Sequence, residues 1–248
     1  MYAVILAGGR GERLRPYTDS TPKPMLEVGG KPILEDQIQQ LKEGGITDVV
    51  IAEGYKSEAI QEYFGEGKSL GVNIHHLQTV GESIDTAGAL KQAIKEVPPS
   101  ENDFVVLWGD ILSDLDFQDM IRKHGETNPL ITMATIKSTA EHGIVRRKPD
   151  GKLSAFEQFP ESGTNPDGII NAAVFVMRRD IQDYLPDEGN FSKDVLEKIV
   201  GSEPVAEYPF SGYWRHISTE ADLLAARKEF SEGSLSAESS SRLQSEIK

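Results

Sequence analysis

The chain has 248 residues, 38% hydrophobic and 27% charged, the make-up of an ordinary globular protein with enough length for a full core. Its formal charge of −14 argues against a nucleic-acid partner, which needs a broad basic face, and the lack of Cys removes disulfides and thiolate metal sites. No stretch reaches the roughly 18 apolar residues of a membrane span, and the opening "MYAVILAGGRG" has no basic region before its short apolar run. A cytoplasmic protein with no membrane partner is expected.

"YAVILA" (2–7) is a short continuous apolar run, the mark of a buried parallel strand. Residues 32–45 place Leu34, Ile38 and Leu41 on one helical face and stop at Gly44-Gly45. "DVVIAEGY" (48–55) predicts a strand, and Ser57 is positioned to cap the helix "EAIQEYF". Strand 71–77, helix 86–97, strand 103–110, helix 115–125 and strand 129–137 follow. Alternation at this spacing means βαβ units.

Beyond about residue 140 the pattern changes. Residues 143–159 predict a hairpin about Pro149-Asp150-Gly151. A buried strand is expected at 169–177, a helix at 191–201 and two short strands within 204–217. Thr219 and Asp222 have capping-box spacing ahead of the helix 220–230. Residues 231–248 hold seven serines and little to bury, so a loose polar tail is expected. There is no internal repeat and no linker, hence a single domain over 1–230, with halves 1–138 and 139–230.

The N-terminus departs from the acidic background. Residues 1–31 hold Arg10, Arg13, Arg15, Lys23 and Lys31 against Glu12, Asp19 and Glu27, which suits a small anionic ligand. Three stretches compete as phosphate loops. "GEGKS" (65–69) ends like a Walker A loop, but Glu62 stands where the first glycine belongs, and a helix precedes it. "GRGERL" (9–14) has Leu14 in place of the third Rossmann glycine, and Pro16 interrupts the helix that should follow.

The third stretch is "LAGGRGERLRPYTDSTPKPM" (6–25). Together with "GGKPILE" (29–35), it resembles the signature of the sugar-1-phosphate nucleotidylyltransferases. The resemblance continues through 45–67, "TAGAL" (86–90), "VLWGD" (106–110) and "GIIN" (168–171). It implies an α/β three-layer sandwich around a mixed, mostly parallel Rossmann-like sheet. It also implies an Mg²⁺-dependent transfer of NMP from an NTP to a sugar 1-phosphate, with pyrophosphate leaving.

By the same resemblance, Leu6, Ala7, Gly8, Gly9, Gly11 and Glu12 form the nucleotide loop, and Arg13 and Lys23 neutralise the phosphates. Gln78, Thr86 and Gly88 lie on the base side, Asp110 holds the metal, and Gly143, Gln158 and Asn171 form the acceptor pocket. Gln78 and Thr79 read either as base-edge contacts or as plain strand-end polar residues. A homo-oligomer is compatible with this family.

Three positions depart from the family pattern. His216 stands where the second metal aspartate of W-x-D-x-G-T is expected, and a neutral imidazole is a poor Mg²⁺ ligand. In the stretch Phe156-Glu157-Gln158-Phe159-Pro160, Phe159 replaces the lysine that holds the sugar phosphate. Asp85 replaces a glycine of the base loop. These changes leave two alternatives open: a non-catalytic nucleotide-binding relative with a regulatory role, or transfer to a non-sugar phosphate.

Overall fold

The computed structural model describes residues 1–79, 85–138, 143–160 and 168–232. Strand β1 (Tyr2–Ala7) leads into a loop with three 3-10 turns (Glu12–Leu14, Tyr17–Asp19, Lys23–Met25). Next come the short pair β2 (Glu27–Val28) and β3 (Lys31–Pro32), and then α1 (Ile33–Glu43). The chain continues through β4 (Asp48–Glu53), α2 (Ser57–Phe64), β5 (Asn73–Gln78), α3 (Thr86–Ala93) and β6 (Asp103–Trp108). After these come β7 (Ile111–Ser113), α4 (Phe117–Thr127) and β8 (Ile131–Lys137). The second half holds β9 (Ile144–Arg147), β10 (Leu153–Glu157), β11 (Ile169–Arg178), α5 (Glu197–Ile199), β12 (Val205–Pro209), β13 (Trp214–His216) and α6 (Glu220–Ser231).

Strands β5, β4, β1 and β6 lie side by side and parallel. β11 joins antiparallel to β6, β8 antiparallel to β11, and β12 parallel to β8. Side chains alternate between two cores, as a period of two requires. Val4 and Leu6 of β1 pack with Ala87, Leu90, Phe191 and Val195 on one face. Ala3, Ile5 and Ala7 pack with Leu34, Ile38, Ile60 and Phe117 on the other. The expected three-layer sandwich with a mixed, mostly parallel sheet is what forms.

The ten-residue β11 shapes the acceptor side. Its second half, from Val174, pairs with β6, while Ile169–Asn171 runs past the carboxyl end of β6. There Ile170 pairs with Ile144, so the β9–β10 hairpin takes up the sheet where β6 stops. The register shifts between Asn171 and Phe175, and Ala173 sits in the left-handed region at φ 56°. The Asn171 side-chain oxygen accepts from Ala173 N–H at 2.8 Å and holds this bulge.

Several local expectations need correction. Ser57 does not cap α2. Lys56 turns the chain at φ 55° and is the cap residue, while Ser57 begins the helix and is buried. The helix expected at 191–201 is a π-helical turn (Phe191–Leu196) leading into the short α5, and its cap is the Asn190 side chain. Of the two short strands in 204–217, β12 joins the main sheet, but β13 pairs with β7 in a separate ribbon. The capping box at Thr219 and Asp222 forms as expected. Residues 233–248, most of the expected tail, lie outside the described residues. Among the described residues, no helix is long and apolar enough to cross a membrane.

Candidate active site

A cleft of about 780 Å³ opens over the carboxyl ends of β1 and β6, where an open α/β sheet places its ligands. Leu6, Ala7, Gly9, Gly11, Glu12, Arg13, Lys23 and Asp110 line it, joined by Arg10, Asp85 and Ser218. The structure therefore brings most of the predicted phosphate-side residues into one wall. Gly11 turns the loop at φ 63°, and a Cβ there would sit 2.9 Å from Thr18 Cγ2 and 3.2 Å from Lys23 Cβ. The Gly11 carbonyl accepts from Leu14 N–H and from the Thr18 hydroxyl, both at 2.9 Å. Leu14 is fully buried beneath the loop, which is why a Rossmann third glycine has no place there. Among the described residues, Arg10 and Arg13 form no ion pair, so both are available to an anion.

Asp110 follows β6 at the base of the cleft. The Lys23 ammonium donates to its Oδ2 at 2.5 Å, and His216 Nε2 lies 3.2 Å from the same oxygen. Its other oxygen, Oδ1, is buried without a partner among the described residues, as is Ser218 Oγ. Burial alone would push the Asp110 carboxyl up, but the Lys23 charge and the His216 imidazole more than reverse this and hold it far below the usual carboxylate range. Asp110 is thus ionised, with one oxygen committed to the protein and one aimed elsewhere. Mg²⁺ favours oxygen donors and usually takes one or two carboxylates plus phosphates and waters. The unpaired Oδ1 fits such an ion. Among the described residues, no group of three or more His, Asp or Glu converges on a metal-binding point.

Two supporting residues escaped the sequence reading. Gln37 of α1 is 3% exposed, and its amide donates to the carbonyls of Trp108 at 2.7 Å and Ile111 at 2.8 Å. It clasps the Gly109-Asp110 turn from both sides. The available signal was a polar residue on the apolar stripe of Leu34, Ile38 and Leu41. From the other face Trp108 packs at a tilt against Phe175 and Phe191, with ring centroids 5.2 and 5.8 Å away. Gln37→Leu leaves two buried carbonyls without donors, at about 1–3 kcal/mol each. It should lower kcat as well as the melting temperature, because Asp110 loses its fixed position. Paired kinetics and melting curves check this, and a stability loss with unchanged kcat would contradict it.

The second missed residue is Gly54. A Cβ there would lie 2.7 Å from the Gly8 carbonyl oxygen and 3.0 Å from Gly8 Cα, so the nucleotide loop rests directly on the backbone after β4. Gly8 itself therefore packs toward 54–55, where its carbonyl accepts from Tyr55 N–H at 3.2 Å. Gly54→Ala should displace the loop and raise the KM for nucleotide about tenfold, a cost of roughly 1.4 kcal/mol, with smaller change in kcat. Steady-state kinetics at varied nucleotide concentration test it.

Of the base-side residues, Asp85 lines the cleft, while Gln78, Thr79, Thr86 and Gly88 do not. Gln78 is exposed at the end of β5, in register with Glu53 and so with Ala7 across two strands. Thr79 uses its hydroxyl and its N–H on the Glu53 carbonyl, at 2.7 and 2.9 Å. The Thr86 hydroxyl accepts from Phe191 N–H at 2.8 Å, and Gly88 is buried within α3. Asp85, the departure from the usual glycine, caps α3 by accepting from Thr86 N–H at 2.7 Å. Residues 80–84 between them lie outside the described residues.

The acceptor-side trio does converge. Gly143, at φ 67°, accepts from Asn171 N–H at 2.8 Å and donates to the Gln158 carbonyl at 3.0 Å. A Cβ on Gly143 would come within 3.9 Å of Gln158 Oε1 and 4.0 Å of Asn171 Cβ. Phe159, in the lysine position, is 75% exposed.

The nucleotidyl transferase family matches this chain over residues 2–233. A probable glucose-1-phosphate cytidylyltransferase of Bacillus subtilis is 31% identical, covering 94% of this chain and 97% of that one. An N-acetylmuramate alpha-1-phosphate uridylyltransferase of Neisseria meningitidis is 30% identical, with 92% and 97% covered. A mannose-1-phosphate guanyltransferase of Gibberella zeae is 29% identical over 91% of this chain, which spans 63% of that longer protein. A solved glucose-1-phosphate thymidylyltransferase of Bacillus anthracis, described as putative and in complex with a sucrose, shares the fold with a TM-score of 0.80. It is 21% identical, with 92% of this chain and 94% of that one covered. With signature, fold and cleft in agreement, the chain belongs to the nucleotidyl transferase family.

Proposed function

We propose that the protein transfers a nucleotidyl group from an NTP to a sugar 1-phosphate, releasing pyrophosphate. The observation that carries this reading is the cleft itself: Arg10 and Arg13, which form no ion pair among the described residues, line it on a glycine loop together with Lys23 and an ionised Asp110, one of whose oxygens has no partner among them. The relatives named as acting on glucose, mannose and N-acetylmuramate phosphates support the substrate class.

In the reaction, a phosphate oxygen of the acceptor attacks the α-phosphorus in line. A new P–O bond forms as the bond to the bridging oxygen of pyrophosphate breaks. Such transfers need positioning and charge neutralisation more than covalent help. The glycine loop offers backbone N–H groups to the phosphates. Arg13 balances charge on the leaving pyrophosphate, and Lys23 balances charge at the α-phosphate. An Mg²⁺ ion, when bound, would supply Lewis-acid neutralisation of the phosphate oxygens, held by Asp110. The Asn171 side-chain oxygen is taken by Ala173, so its NH₂ is what it offers a sugar hydroxyl.

The test is pyrophosphate release over a matrix of NTPs, dTTP included, and sugar 1-phosphates, with Mg²⁺ present. Turnover with at least one pair supports the proposal. Nucleotide binding without turnover on any acceptor supports the non-catalytic reading.

A further inference from the structure

His216 occupies the position where a second carboxylate is expected, yet its ring is already engaged. Nε2 faces the same Asp110 oxygen, Oδ2, that takes the Lys23 ammonium. Two donors on Oδ2 fix the carboxylate plane and leave Oδ1 alone to meet a ligand. Among the described residues, two further buried polar atoms close to Asp110 lack a partner, Gln37 Oε1 and Ser218 Oγ, and of the two residues Ser218 lines the cleft. It is buried and lies in the same cleft wall as Asp110 and Lys23. Its backbone is fixed on both sides. Ile217 N–H donates to the Asp110 carbonyl at 2.9 Å, and Ser218 N–H donates to the Asp222 carboxylate at 3.0 Å. A buried hydroxyl left unpaired is unfavourable, so its presence at this point calls for a ligand.

We propose that Ser218, not His216, is the second protein donor to the divalent cation, with His216 a positioning residue that holds Asp110. One carboxylate and one hydroxyl are an adequate protein donor set for Mg²⁺, since the P-loop enzymes hold theirs with a Ser or Thr and an Asp while phosphates complete the shell. The local charge agrees. Asp110 is balanced by Lys23, so the cleft has no net negative charge at that point to attract a bare cation. The ion therefore enters with the triphosphate, and its affinity depends on nucleotide.

The inference rests on the reading of Asp110 as the metal carboxylate, and Mn²⁺ binding followed by electron paramagnetic resonance separates the two. The probe is Mn²⁺ with whichever NTP raises the melting temperature most. Wild type should bind Mn²⁺ with NTP far more tightly than without, and its spin-echo spectrum should show no ¹⁴N coupling. Ser218→Ala should weaken Mn²⁺ binding about tenfold, the low end of what support around a metal site is worth. Ser218→Asp should tighten it. His216→Gln, which keeps a donor for Asp110, should hold Mn²⁺ near the wild-type affinity.

An unchanged affinity in both Ser218 variants overturns the assignment. So does a ¹⁴N coupling that vanishes in His216→Gln. If Asp110→Asn still abolishes binding in either case, the metal role of Asp110 stands while that of Ser218 falls. If no NTP promotes Mn²⁺ binding to wild type, both fall.

Discussion

Lys23→Ala is expected to lower kcat by roughly 10²-fold or more, the loss seen when one preorganised electrostatic stabiliser is removed from a phosphate or oxyanion site. Lys23 lies in a 3-10 turn between Pro22 and Pro24, its side chain 12% exposed, so little entropy is lost in presenting its charge. The substitution has a second, independent signature. An unfolded aspartate titrates near 3.9, and Asp110 in the fold titrates below that value. Its ionised form therefore stabilises the fold above about pH 4, and this contribution fades as the pH falls through the depressed folded value. Without Lys23, burial pushes the carboxyl upward again and much of that contribution is lost. The gap in melting temperature between wild type and Lys23→Ala should be widest near neutral pH and narrow as the pH falls below about 4. A gap that is constant with pH would mean that Lys23 and Asp110 are not coupled.

Asp110→Asn keeps the shape of the side chain and removes the charge that a metal needs. Lewis-acid neutralisation of phosphate oxygens is worth several kcal/mol in a transition state. At 1.36 kcal/mol per tenfold, turnover should fall by about 10³-fold. The fold should survive, because the core strand ends at Trp108 and Asp110 lies in the turn beyond it. Circular dichroism and kcat measured against Mg²⁺ concentration check both halves. A variant that turns over with the wild-type Mg²⁺ profile would remove Asp110 from the metal.

The parts of this protein that announce themselves in sequence are those with local causes. The apolar runs 2–7 and 103–108 become buried parallel strands because nothing but a two-faced core accepts them. Thr219 and Asp222 cap a helix because their spacing alone satisfies two backbone N–H groups. What could not be read depends on partners distant in the chain. β7 is three residues long, and only its pairing with β13 makes it a strand. Asp85 looks like an obstruction to a base loop until Thr86 N–H is seen to need a cap. His216 stands in sequence where a second metal carboxylate is expected, and only the fold shows that its ring lies against Asp110, 106 residues away. The glycine loop was legible for a different reason: its signature is long, and cations beside glycines have few other uses in an acidic chain.

The packing of α6 has a consequence for the order in which the molecule can be assembled. Leu223 and Ala226 of that helix share a small core with Leu14, Leu26 and Val28, directly beneath the glycine loop. Tyr17 donates to Glu220 across 203 residues of sequence, Arg227 donates to the Glu27 carbonyl, and Phe230 sits so close that a Cβ on Gly29 would lie 2.6 Å from its ring. During synthesis the central strands can pair while the loop still lacks its floor, because that floor is translated about two hundred residues later. Domain folding proceeds broadly from the N-terminus as the chain emerges. A released chain that ends before residue 220 should thus bind nucleotide poorly, because the loop lacks the floor that α6 supplies, while the full chain binds it.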